Sequence, residues 1–325
     1  MRFTQVLCGT ASAAVLAGLS VASVAQAQQT ETMTVDSIVV TAQKREQNLQ
    51  DVPVVVTAVG AKLLQDTGVK DIKDLTILTP GLTVTSTTSE ASTTARVRGI
   101  GTVGDNPGLE SSVGIVIDGV YRPRNGVSFG DLGEMDRIEV LKGPQGTLFG
   151  KNTSAGVINI VTKEPSFEFG GEAEFVYGNY DAKGASLSVT GPIAGDKLAG
   201  RVFFAARERD GFNKVITGKG PSDRDQDGDQ GFYTVRGQLL FIPDDRATFK
   251  VIADYTKRDE NCCGAVQIRT GPTAAILNLL NGGPALATTA DPYARVAYSN
   301  RGAPSSVEDK GVSLEGNIDF DWGTL

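Results

Sequence analysis

The groups of residues in this chain that look chemical are few, and most lack a part their chemistry requires. None of the 325 residues is histidine, which removes imidazole acid–base catalysis, histidine-bound zinc and serine–histidine triads. Gly99-Ile100-Gly101-Thr102-Val103-Gly104 has the glycine spacing of a dinucleotide loop, and Asp118 follows as a ribose ligand would. Such a loop must open a helix, whereas Asp105-Asn106-Pro107-Gly108 is turn chemistry. Gly146–Asn152 approaches a phosphate loop but lacks glycine at Gln145 and serine or threonine at Asn152. The run from Asp223 to Asp229 copies the start of a calcium loop, yet Thr234 stands where its bidentate glutamate belongs. It reads as a solvated acidic loop, with a weak calcium site as the sharper alternative. Cys262 and Cys263 are adjacent and suit a local disulfide staple, with each other or with other cysteines, better than a metal site. No catalytic residue, cofactor or metal is therefore assigned. The net charge of -7 argues against nucleic-acid binding.

The elements around these groups fall into four stretches. Residues 1–27 read as an export signal: Arg2 is the positive end, Val6–Val24 the small-residue apolar stretch, and Ala25-Gln26-Ala27 the cleavage site. Residues 28–50 read as a flexible tail holding one apolar extended patch, Asp36-Ser37-Ile38-Val39-Val40. Such a patch suits β-augmentation by another protein. Glu31–Val35 is a second, similar patch. Residues 51–165 read as an α+β unit. Strands are expected at Val52–Ala58, Leu82–Thr85 and Arg96–Arg98, and helices at Ala61–Asp66 and, capped by Asp71, at Ile72–Leu78. A hairpin spans Gly114–Tyr121 with Asp118-Gly119 at its turn. From residue 166 the hydropathy period becomes two. Six antiparallel strands are expected at 167–178, 183–190, 197–208, 231–241, 247–258 and 311–322. Short turns alternate with long polar loops at 210–230 and 259–310, the asymmetry of a transmembrane barrel. Phe320 and Trp322 fall where an interfacial aromatic girdle belongs.

The block Arg137-Ile-Glu-Val-Leu-Lys-Gly-Pro-Gln-Gly-Thr-Leu-Phe-Gly150, followed by Gly156-Val-Ile-Asn-Ile-Val-Thr-Lys163, resembles the end of the plug domain in TonB-dependent outer-membrane receptors. The resemblance implies a plug followed by barrel strands, with 22 strands in the whole barrel and only the first six in this chain. An open sheet edge is not tolerated in lipid, so a longer receptor is expected. Asp36, Ser37, Ile38, Val39 and Val40 resemble the TonB box, the strand that the energy transducer TonB grasps. Ala95–Gly99 and Val116–Gly119 are expected in the plug's small sheet. Arg98 and Lys142 match positions whose cations lock plug to barrel wall, with lysine giving a softer lock than arginine. The plug apex offers Asn106, Glu110, Tyr121, Arg122 and Arg124 to a ligand. The resemblance implies an outer-membrane transporter, not an enzyme, with TonB, lipid and a small ligand as partners. A ferric siderophore is the default cargo; cobalamin, haem or an oligosaccharide are the alternatives. A different reading is an exported β-rich binding or adhesion protein. Charges on the polar strand faces do not separate these readings, because that face could meet a lumen or solvent.

Overall fold

The computed structural model describes residues 39–69, 71–87, 92–102, 109–123, 126, 134–216, 225–262, 266, 268–282, 291–298 and 304–325. Its N-terminal unit is a mixed sheet with short connections. The chain enters at β1 (Val39–Val40) and β2 (Gln47–Asn48), an antiparallel pair. There follow β3 (Val55–Gly60), α1 (Ala61–Thr67), β4 (Leu82–Thr85), β5 (Thr94–Val97), β6 (Val113–Ile117) and β7 (Val120–Arg122). The unit ends with β8 (Met135–Lys142), α2 (Gly146–Phe149) and β9 (Gly156–Thr162). Five strands form one sheet in the order β3-β8-β9-β6-β7, with β6 and β9 parallel and the other pairs antiparallel. Both faces of β8 are covered. Ile138 and Val140 join a core with Leu64, Ile72, Leu75 and Ile115, while Leu141 packs on the other face with Val40, Ala42, Val116 and Val157.

Several local expectations change. Residues 39–50, read as part of a flexible tail, are built into this unit, because Val40 and Ala42 bury completely against the sheet. The second helix is only a 3-10 turn, Asp74–Ile77, with Asp71 accepting from the Lys73 amide at 3.0 Å. Pro80 stands too close downstream for a full helix to propagate. α1 does form and stops at Gly68, whose φ of 69° is the left-handed C-cap. β4 and β5 pair in a ribbon of their own, so Ala95–Val97 lies outside the main sheet. The Gly114–Tyr121 hairpin is present, and Asp118 and Gly119 are both left-handed (φ 47° and 79°), as a tight two-residue hairpin turn requires.

The second part is a wall of long antiparallel strands: β10 (Gly170–Gly178), β11 (Ala182–Ala194), β12 (Leu198–Arg209), β15 (Gln230–Asp244), β16 (Ala247–Asn261) and β18 (Pro304–Phe320). With the short β19 (Gly323–Thr324) they form a seven-stranded sheet in sequential order. The six expected strands are therefore present: β11, β15, β16 and β18 are longer than expected, β12 has the expected length shifted by one residue, and β10 starts three residues late. β11 runs through Gly191-Pro192 with a register shift, where a turn was expected, because proline at a bulge does not interrupt the ladder. β18 begins at Pro304, seven residues before the expected start. The long connections carry structure as well. β13 (Asn213–Ile216) pairs with β14 (Gln226–Asp227) and, in parallel, with β17 (Val296–Tyr298), so the two loops are joined. α3 (Ala274–Asn281) is an apolar helix inside what was read as a polar loop.

Candidate functional site: the charged seam and the N-terminal strand

Strand alternation decides which way the wall faces. Phe175, Leu187, Val202, Val235, Leu239 and Val312 project from the open face, and Val312 is 82% exposed. The opposite face carries Ser188, Arg201, Arg236, Gln238, Arg258 and Glu260, all buried. A water-soluble sandwich buries its apolar face and solvates its polar one. This wall does the reverse, which is the arrangement of a sheet with lipid outside and protein inside. Phe320 and Trp322 stack at 5.3 Å at its end, as an interfacial pair should.

What fills the inside is the N-terminal unit, held by ion pairs. The Arg122 guanidinium donates from Nη2 to both carboxylate oxygens of Asp254 (2.9 and 2.8 Å) and from Nη1 to Asp309 (3.1 Å). Asp118 reaches the wall with the opposite sign: Arg236 Nη1 donates to it at 2.5 Å. Asp118 also accepts from the amide and hydroxyl of Thr162, and Gln238 donates to that hydroxyl at 3.0 Å. Arg236 and Asp254 are direct partners across β15 and β16. The charges thus alternate in sign from Asp118 to Asp309, and Asp118, Arg236, Asp254 and Arg122 line a cavity of about 40 Å³. Gly311 makes room for this pair, since a Cβ there would meet Asp254 Oδ2 at 2.7 Å and Arg122 Nη1 at 2.9 Å. Farther along, Arg201 pairs with Glu134, and Lys250 reaches Glu164 at 3.0 Å.

Residues 48–157 match the family model for the TonB-dependent Receptor Plug Domain. The chain carries a TonB-dependent receptor plug. It is 32% identical over 199 residues to the pesticin receptor of Yersinia pestis, which covers 60% of this chain and 29% of that protein. It is 30% identical over 191 residues to a vitamin B12 transporter of Vibrio vulnificus, covering 56% and 30%. The chain thus spans under a third of the length of these relatives. Among solved structures it resembles the ferric yersiniabactin uptake receptor from Yersinia pestis, with a TM-score of 0.66 at 23% identity over 82% of this chain and 39% of that one. The fold is thus a plug with part of an antiparallel outer-membrane barrel beside it.

The expected site residues distribute unevenly over the plug and the wall. Of the proposed lock cations, Arg98 is exposed and makes no ion pair among the described residues, and Lys142 Nζ donates to the Pro80 carbonyl at 2.9 Å within the plug. Arg122, read as a ligand contact, is 9% exposed and turned to the wall, which makes it an anchor of the plug instead. Glu110 and Tyr121 are the other two expected ligand contacts among the described residues, and Tyr121 packs against the cluster of Val40, Val116 and Leu141. Glu110 pairs with Lys151, whose hydrogen bond holds its carboxyl below the usual range. Tyr121 accepts from Asn152 Nδ2 at 3.4 Å. Asn106 and Arg124 lie outside the described residues, as do Asp36, Ser37, Ile38 and Cys263. Cys262 is in a disulfide. No helix flanks the acidic run among the described residues of 225–229, which hold β14 and Gly228.

Sequence reasoning missed Asp118, Glu134, Glu139, Arg201 and Arg236. Glu139, Arg201 and Arg236 share a signal, a charge inside an apolar or inward-facing run as in Ile138-Glu139-Val140, because burying such a charge demands a partner. Glu139 is the extreme case at 0% exposure. Its Oε1 accepts from the Thr41 amide (2.7 Å), the Thr41 hydroxyl (3.1 Å) and Arg137 Nε (2.9 Å), and its Oε2 from Asn159 Nδ2 (3.1 Å).

Proposed function

We propose that this chain belongs to an outer-membrane receptor that imports a scarce ligand by TonB-dependent active transport, with a ferric siderophore as cargo. The observation that carries the reading is the inverted wall, apolar outward and polar inward against an ion-paired plug. A plug held to the wall in this way stands in the path of a ligand. Passage requires the plug to rearrange against several buried charge pairs, each costly to break, so energy must be supplied. No bond in the ligand need change. The likeness to the ferric yersiniabactin uptake receptor supports an iron chelate. The similarity to a vitamin B12 transporter favours cobalamin as the second cargo. Asp36–Val40 is the strand proposed to pair with TonB, and Glu110 and Tyr121 are the proposed ligand contacts among the described residues. Arg98 and Lys142 are proposed as further locks toward wall strands that complete the barrel. Deleting Asp36–Val40 should abolish uptake under iron limitation and leave ligand binding at the cell surface intact. Normal uptake by that deletion would overturn the mechanism.

A further inference from the structure

The N-terminal strand is held down by a buried carboxylate. β-augmentation needs a strand with free amides and carbonyls along one edge. Around Val40 one edge is already paired within the plug. Val39 and Val40 pair with Asn48 and Gln47, and the Val40 side chain is fully buried on the Leu141 face of the sheet. One residue on, the Thr41 amide and hydroxyl both donate to Glu139 Oε1. Asn159 Nδ2 and Arg137 Nη2 also reach the Thr41 hydroxyl, at 3.1 and 3.4 Å. Glu139 sits mid-strand on β8, between Ala58 of β3 and Asn159 of β9, so it cannot follow the segment when the segment leaves. Beyond Thr41 the chain turns at once: the Lys44 amide donates to the Thr41 carbonyl at 2.8 Å, and Lys44 is left-handed. A pull on residues preceding Val39 therefore loads the Thr41–Glu139 contact before it reaches the five-stranded sheet.

We propose that Glu139 is a latch that keeps Val39–Ala42 seated on the plug and so withholds this strand from its partner until the latch opens. The latch rests on the reading of Asp36–Val40 as the partner's strand, but its first test does not. Opening removes two of the donors to a buried carboxylate and uncovers Val40 and Ala42 together, so release is cooperative rather than a gradual fraying. Glu139 acts through Thr41 and is a positioning residue; it touches neither ligand nor partner.

Hydrogen exchange on the intact receptor in detergent, with no partner present, tests the latch. Glu139→Gln keeps the volume and one acceptor but removes the charge. Thr41→Val lies on the segment itself, removes the hydroxyl and leaves the sheet untouched, so it remains informative if the first variant folds poorly. Amides across 39–48 should exchange about tenfold faster or more in Glu139→Gln, and by a smaller factor in Thr41→Val. Amides of β9 should be unchanged in Thr41→Val. Unaltered exchange across 39–48 in both variants would overturn the latch. Binding of a soluble TonB C-terminal domain is the second readout. On the order of tenfold tighter capture by the loosened variants supports gating, and equal capture by loosened and wild-type receptors overturns it. Should neither form capture the domain, and should deleting Asp36–Val40 leave uptake normal, the failure is that of the partner assignment, while the exchange result still decides the latch.

Discussion

Asp71 shows how one side chain in the seam couples stability to pH. The residue as a whole is half-buried, but its carboxyl is enclosed where plug and wall meet, and burial raises its pKa against the pull of Arg258 and Lys73. A carboxyl with a raised folded pKa holds its proton in the native state at pH values where the unfolded chain has already lost it. Stability is therefore undiminished below the unfolded pKa and falls as pH rises toward the folded one. Asp71→Asn keeps an oxygen for the Lys73 amide and carries no charge to bury. Its melting temperature should equal or exceed that of the wild type at neutral pH. The difference should vanish below about pH 4, where both side chains are neutral. Calorimetry across that range checks the sign; a variant less stable at neutral pH would mean that attraction to Arg258 outweighs burial.

At the scale of elements, the β6–β7 hairpin is where the plug meets the wall. Its turn places Asp118 toward Arg236, and its last residue, Arg122, reaches Asp254 and Asp309. Asn tolerates the left-handed conformation as well as Asp does, so Asp118→Asn separates the turn from the ion pair. The hairpin should persist while the plug–wall contact loses roughly 3–5 kcal/mol, because Arg236 remains buried without the Asp118 counter-charge. Adding Arg236→Met should restore part of that loss, and a double-mutant cycle in chemical unfolding reads the coupling. The turn itself was legible, since Asp-Gly between two apolar runs specifies a hairpin. Its partners were not. They lie 118, 132 and 187 residues away in sequence, and local pattern carries no information over such distances. The same limit hid the joining of two loops through β13 and β17. Glu139 was nearer to hand: a lone carboxylate between Ile138 and Val140 cannot be solvated there, although the donor that meets it, Thr41, is 98 residues away.

The whole molecule turns on the direction in which its strands face. Period-two alternation was visible in six stretches between residues 167 and 322, but alternation alone fits both a membrane barrel and a soluble sandwich, because it does not say which face is inside. The plug resolves this by occupying the polar side, and Arg201, Arg236 and Arg258 are buried by it. The apolar side then has nothing but solvent or lipid to meet. Leu187 lies near the middle of β11, opposite Phe204 and Ala173, on that exposed face. In a barrel wall, arginine there must enter the hydrocarbon, at a cost of about 2–4 kcal/mol near mid-depth. Leu187→Arg should lower the fraction of receptor that assembles into lipid vesicles as a heat-modifiable band. The neighbouring residue, Ser188, faces the plug, so its substitution by alanine, which adds no charge and little volume change, should leave assembly within the error of the wild type. In a soluble protein the result reverses: an exposed leucine exchanged for arginine is close to neutral, within about 0.5 kcal/mol, and improves solubility. Unimpaired assembly of Leu187→Arg would therefore remove the lipid-facing wall and, with it, the transport reading that the wall supports.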